Sequence, residues 1–202
     1  MRKLREGIIG AKRVDAFSSK AYMFMIRTSI LMRHPESYHP ALRHLLYDIH
    51  PYVPLSSNER QEFAGYLMLH LASSAEAYIE AWGVKQEFQV TDYRVLQAIA
   101  AMVHGNYWSF RATRRRIDLY KARLMESAER RMREHTLKCM AKTYFKVEVD
   151  YVEAVTGMSW DGLKKDFAVG WEVEGGIATV RKQKTPQGVK PTVQLDVNFK
   201  AW

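Results

Sequence analysis

Along the first two-thirds of the chain, apolar residues recur every three or four positions, the period of helices with one buried face. Ser18 to Met32 places Ala21, Met25, Ile26 and Ile30 near helical spacing. Pro35 and Pro40 interrupt that pattern, and Pro40 predicts the first turn of a helix over Ala41 to His50. Ser56 and Glu59 form a capping box that opens a helix through Leu71. Ser73 to Glu76 repeats the signal and predicts another helix to about Trp82, and Thr91-Asp92 opens a third with Val95, Ile99 and Met102 as its stripe. Helices joined by such short caps stack as antiparallel hairpins, each burying its face on the next. From Asn106 to Phe145 the pattern is helical, either unbroken or interrupted near Ile117 to Lys121, with Ile117, Tyr120, Leu124 and Ala128 as an apolar face. On an unbroken helix, Arg115, Arg116, Arg123, Arg130 and Arg133 would share an arc of roughly 100° opposite, diluted by Glu126 and Glu134.

After Phe145 the period changes. Lys146 to Val149 alternates as a strand; Asp150 can cap a short helix to Thr156, which Gly157 ends; Ser159 or Asp161 opens another, Gly162 to Phe167. Gly170 to Glu174 and Ile177 to Lys182 flank Gly175-Gly176 as a hairpin. A long helix, then strand, helix, helix and two-stranded wing is the order of a winged helix. The expected fold is therefore mainly α: a stack of helical hairpins, TPR-like, over residues 1–145, a winged helix over 146–182, and a basic linker with a terminal strand over 183–202. Val193, Leu195, Val197 and Phe199 give that strand its strict period of two.

Composition narrows the class. Of 202 residues, 47% are hydrophobic and 26% charged, which fits a globular chain with a sizeable core. A single cysteine, Cys139, excludes a disulfide scaffold and a Cys-rich zinc module and suits a reducing intracellular compartment. The longest apolar run, Ala21 to Met32, is too short to span a membrane and contains Arg27. Met1 to Phe17 lacks the apolar core of a signal peptide, and Glu6 and Asp15 argue against a mitochondrial presequence. The net charge of +9 is unevenly spread: +8 over residues 111–146, −5 over 147–180 and +4 over 181–202. Such blocks suggest a polyanion-facing middle and tail with an acidic module between them.

Motifs for catalysis are missing. The sequence has no glycine-rich phosphate loop, no His-Glu-x-x-His and no nucleophile elbow. His34, His39, His44 and His50 are spaced five, five and six apart, which does not converge them as metal ligands. Cys139, beside Met140 on a helix, reads as a buried structural thiol. No catalytic residue, metal or cofactor is expected. Nucleic-acid binding has better material. Arg111, Arg114, Arg115, Arg116, Lys121, Arg123 and Arg130 lie beside or after Tyr107, Trp108 and Phe110, and Lys182 and Lys184 follow in the linker. Guanidinium groups grip phosphate bidentately; aromatics either stack on unpaired bases or fill the core. The acidic winged helix is a poor groove reader and a better protein dock, with Trp160 and Trp171 as anchors. Val193, Leu195, Val197 and Phe199 can pair with a partner's sheet edge.

Three stretches carry a family likeness. They are Glu62-Phe63 with Tyr66; Gly105-Asn106-Tyr107 with Phe110; and Arg133 followed by Leu137, Met140 and Tyr144, continued by Tyr151. Over about residues 55–182 they resemble the PCI domain, shared by scaffold subunits of the proteasome lid, the signalosome and the third translation initiation factor. Within that group the sequence looks most like the Sac/GANP branch, associated with mRNA export and processing. The first two stretches match its Glu-Phe-x-x-Tyr helix and Gly-Asn-Tyr-x-x-Phe turn, and the third matches the helix entering its winged helix. The branch's arginine-containing front helix is not clear in Ser18 to Arg33. The resemblance implies a non-catalytic scaffold, nuclear or nucleocytoplasmic, in a hetero-oligomer with another PCI protein and a small acidic Sem-type protein. A stand-alone RNA- or DNA-binding module and a short PCI subunit of the lid, signalosome or initiation factor are the alternatives.

Overall fold

A computed structural model describes residues 2–181. Among these residues the chain is mainly helical. Helices α1 (Arg2–Gly10), α2 (Ala16–Leu31) and α3 (Pro35–Arg43) are followed by a π-helical turn, His44–Ile49. Then come α4 (Ser57–Ser74), α5 (Tyr78–Phe88), α6 (Tyr93–Val103), α7 (Tyr107–Arg114) and the long α8 (Leu119–Thr143). A smaller C-terminal module follows: β1 (Lys146–Glu148), α9 (Val149–Thr156), α10 (Trp160–Phe167), β2 (Glu172–Glu174) and β3 (Ile177–Thr179). The predicted strand through Val193, Leu195, Val197 and Phe199, and linker residues Lys182 and Lys184, lie outside the described residues.

Caps account for most boundaries. The Ser56 side chain accepts from the Glu59 backbone while Glu59 reaches back to Ser56, the predicted capping box. Asp15, which pattern reading passed over, makes an equivalent box with Ser18 at the start of α2. Asp92, Asn106, Asp118 and Ser159 each accept a first-turn N–H, satisfying donors that a helix start leaves orphaned. Three expectations fail, the first at Asp150, which lies in the first turn of α9 instead of capping it because the helix already begins at Val149. The helix predicted from Pro40 begins at Pro35, which sits in the first turn, so Pro40 lies inside α3 on its exposed side. The box predicted at Ser73–Glu76 does not form, because the Ser73 hydroxyl is buried and donates to the carbonyls of Leu69 and Leu124, bridging α4 to α8. α4 therefore runs through Ser74, and the chain turns at Glu76.

Two cores result. The larger gathers Tyr22, Ile26, Leu42, Leu45, Phe63, Leu67, Ile99 and Phe110 from α2 to α7. The smaller holds Leu137, Met140, Val147, Val152, Trp160, Leu163 and Ala178. Helix α8 joins them, giving Leu124, Met125, Ala128 and Met132 to the first and Leu137 and Met140 to the second. The sheet has the order β1-β3-β2, both pairings antiparallel, with Ala178 opposite Val147 on one side and Val173 on the other. Gly175 and Gly176 both take positive φ in the predicted hairpin turn.

Candidate nucleic-acid interface

The basic segment folds as an elbow. Gly105 closes α6 at φ +63°, a conformation open to glycine at little cost, and His135 of α8 fills the space that a Cβ would need. Asn106 then caps α7, whose Tyr107, Phe110 and Thr113 are buried. The helix ends at Arg114, and Asp118 restarts the chain as α8. The single arginine arc of an unbroken helix is thus not formed: Arg115 and Arg116 occupy the elbow, and the later arginines lie on α8.

Most of the basic side chains already have partners. Arg111 donates to the carbonyls of Ala154 (2.8 Å) and Val155 (2.9 Å) at the C-terminus of α9. Arg133, only 9% exposed, donates to the Thr156 carbonyl (3.1 Å) and pairs with Glu129. The Tyr107 hydroxyl reaches the same Thr156 carbonyl. A helix C-terminus carries unpaired carbonyls and the negative end of its dipole, so two guanidinium groups and a phenol there bind the module to the stack. Gly157, at φ +63°, leaves the space that the Arg111 guanidinium fills. Arg114 pairs with Glu126 and Glu129, and Arg123 and Arg33 with Glu126. Lys121 lies between Asp92 (2.9 Å) and Asp118 (2.8 Å). Burial opposes its charge, but the two carboxylates outweigh burial and hold its pKa above the usual lysine value. Arg130 pairs with Glu134 and donates to the Asp166 carbonyl.

Arg115 and Arg116 differ. Both are exposed, and among the described residues their guanidinium groups make no hydrogen bond or ion pair. With Arg111, Arg114 and Arg123, Arg115 lines a surface groove of about 460 Å³ that also contains Glu126, Glu129 and Leu119. Trp108 is 71% exposed, whereas its neighbours Tyr107 and Phe110 are buried. The spacing 107, 110, 113 is the signal that separates them, since it leaves Trp108 off the buried stripe.

In the C-terminal module, Trp160 fills the small core with its ring 6.1 Å from that of Trp171, which is half-buried. Trp171 lines a second groove of about 450 Å³ with Leu137, Phe167 and Val169. Tyr144 and Tyr151 form an exposed edge-to-face pair with centroids 6.4 Å apart. Cys139 corrects its expected burial: it is exposed, because the inward stripe of α8 here is Leu137 and Met140, and its Sγ lies 3.5 Å from His135 Nε2. Among the described residues no group of three or more His, Cys, Asp or Glu could hold a metal ion, and no helix is long and apolar enough to cross a membrane.

One pairing escaped sequence reading altogether. Arg27 of α2 grips Glu62 of α4 with two parallel hydrogen bonds of 2.8 Å, and Tyr66 donates to the same carboxylate at 2.7 Å. The partners are 35 positions apart, so no local signal links them. No family model matches the chain, and no curated protein matches it.

Proposed function

We propose that the chain is a non-catalytic scaffold subunit of PCI type, in a complex that acts on RNA. The observation that carries this reading is the order of its parts. A helical stack ends in the long α8, which runs directly into β1–α9–α10–β2–β3, and that connectivity with a β1-β3-β2 sheet supports reading the module as a winged helix. In this reading the segment from Glu172 to Thr179 is the wing.

The Sac/GANP likeness draws support from where its motif residues meet. Gly105, Asn106, Tyr107, Phe110 and Arg133 build the elbow and the tie to α9. Glu62, Phe63 and Tyr66 lie in α4, where Arg27 of α2 pairs with Glu62, which is compatible with an arginine-containing front helix. The module's charge of −5 over 147–180 suits docking to protein better than to a nucleic-acid groove. The net-positive elbow suits a polyanion, either nucleic acid or the small acidic Sem-type subunit. The assembly proposed is a nuclear or nucleocytoplasmic hetero-oligomer with a second PCI protein.

Affinity purification of the full chain from its own cells, with and without nuclease, tests this. A second PCI protein and a small acidic protein that both survive nuclease are the expected result. A monodisperse monomer that retains neither would overturn it.

A further inference from the structure

We infer that the outer face of the α7–α8 elbow binds single-stranded nucleic acid, with Trp108 as a stacking platform for a base and Arg115 and Arg116 as phosphate contacts. The inference rests on the nucleic-acid part of the reading above and specifies its strand type and its residues.

The first observation is the indole. Trp108 is 71% exposed, and among the described residues it makes no ring stacking or cation contact. Burying an aromatic side chain of this size is strongly favourable, so a tryptophan left in water is free surface that a flat ligand can cover. α7 is already anchored by Tyr107, Phe110 and Thr113 and does not need Trp108 for packing.

The second is charge. In the segment of net +8, Arg111, Arg114, Lys121, Arg123, Arg130 and Arg133 all hold carboxylates or carbonyls, whereas the guanidinium groups of Arg115 and Arg116 hold nothing among the described residues. Desolvating those two does not first require breaking an ion pair.

The third is placement. Arg115 caps α7 with helical dihedrals, so at 100° per residue it lies within about 20° of the Trp108 face, two turns or about 10 Å further along. Arg116 follows Arg115 in the elbow, and Leu119, 65% exposed, begins α8 at its foot. An acidic peptide would satisfy the two guanidinium groups equally well. What selects a polynucleotide is the indole beside them, because each nucleotide carries a phosphate and a planar ring on one short tether. What selects a single strand is that duplex bases are stacked on one another and offer no face to an indole.

Fluorescence anisotropy of the full chain with a labelled, unstructured RNA of about 12 nucleotides, alone and annealed to its complement, tests the inference across a salt series. The single strand should bind more tightly than the duplex. Trp108→Ala should weaken single-strand binding about tenfold or more and leave its salt slope unchanged, while Trp108→Phe keeps most of the affinity. Arg115→Ala combined with Arg116→Ala should lower the slope of log K against log salt by about 1.4, from about 0.7 per phosphate contact on a single strand. Trp82→Ala, on the distant α5, should change nothing. Equal binding of single strand and duplex, indifferent to Trp108→Ala, overturns the inference. If the double arginine variant still loses slope in that case, the broader nucleic-acid reading survives. No binding to either form overturns both.

Discussion

His70 is 8% exposed on α4, with its Nδ1 3.1 Å from the Tyr38 hydroxyl and its ring 4.5 Å from that of His39. Burial, with the nearby His39 adding to it, lowers its pKa from 6.5 to about 4; burial lowers that of His39 in the same direction. The unfolded chain therefore takes up a proton near pH 6.5 that the folded chain refuses until about pH 4. Stability from this group is complete above pH 6.5 and is lost as the pH falls through that window, at about 1.4 kcal/mol per pH unit. Urea unfolding at pH 7 and pH 5 should show a loss on the order of 2 kcal/mol from this group, and His70→Gln should shrink the difference. An unchanged pH dependence in the variant would refute the assignment. Gly157 is a second single-residue lever. Alanine there must hold a left-handed φ and displace the Arg111 guanidinium from two carbonyls, so Gly157→Ala should cost about 2 kcal/mol in denaturant unfolding.

At the scale of elements, the decisive contact is the end of α9 against α7 and α8. Arg133 is almost fully buried, and removing it leaves the Thr156 carbonyl and Glu129 short of a donor. Arg133→Ala should therefore cost about 3 kcal/mol. The loss should be local: hydrogen exchange should rise across β1, α9 and α10 while α4 and α6 stay protected. Uniformly faster exchange would mean that Arg133 supports the whole fold instead. Arg27 and Glu62 act similarly between α2 and α4. Both are partly exposed, so Arg27→Ala should cost less, about 1 kcal/mol, read as a shift in the urea midpoint.

At the scale of the whole molecule, two cores share one helix. Trp160→Ala should leave a cavity in the smaller core and cost about 3 kcal/mol or more, a large part of what so small a module can supply. Because the larger core does not include Trp160, unfolding followed by far-ultraviolet circular dichroism should split into two steps in this variant. A single unaltered transition would show the cores to be one cooperative unit.

The helices were legible from sequence wherever local chemistry decided them. The capping box at Ser56, the aspartate cap at Asp92, the serine cap at Ser159, the glycine stop at Gly157 and the Gly175-Gly176 turn depend on neighbours within a few residues. The mainly helical class followed from the same periodicity. What the sequence could not show was which polar side chains would be used up within the fold. Ser73 reads as a cap but bridges to α8; Arg111 and Arg133 read as basic surface or family motif but bind the α9 carbonyls; Cys139 reads as core but faces out. In each case the partner lies on another element, or the outcome turns on which face of a long helix points inward. Charge and residue type are local properties, whereas a guanidinium left free for a ligand is what remains after packing has assigned its neighbours in the segment. Only the tertiary structure, by pairing those neighbours, distinguished Arg115, Arg116 and Trp108.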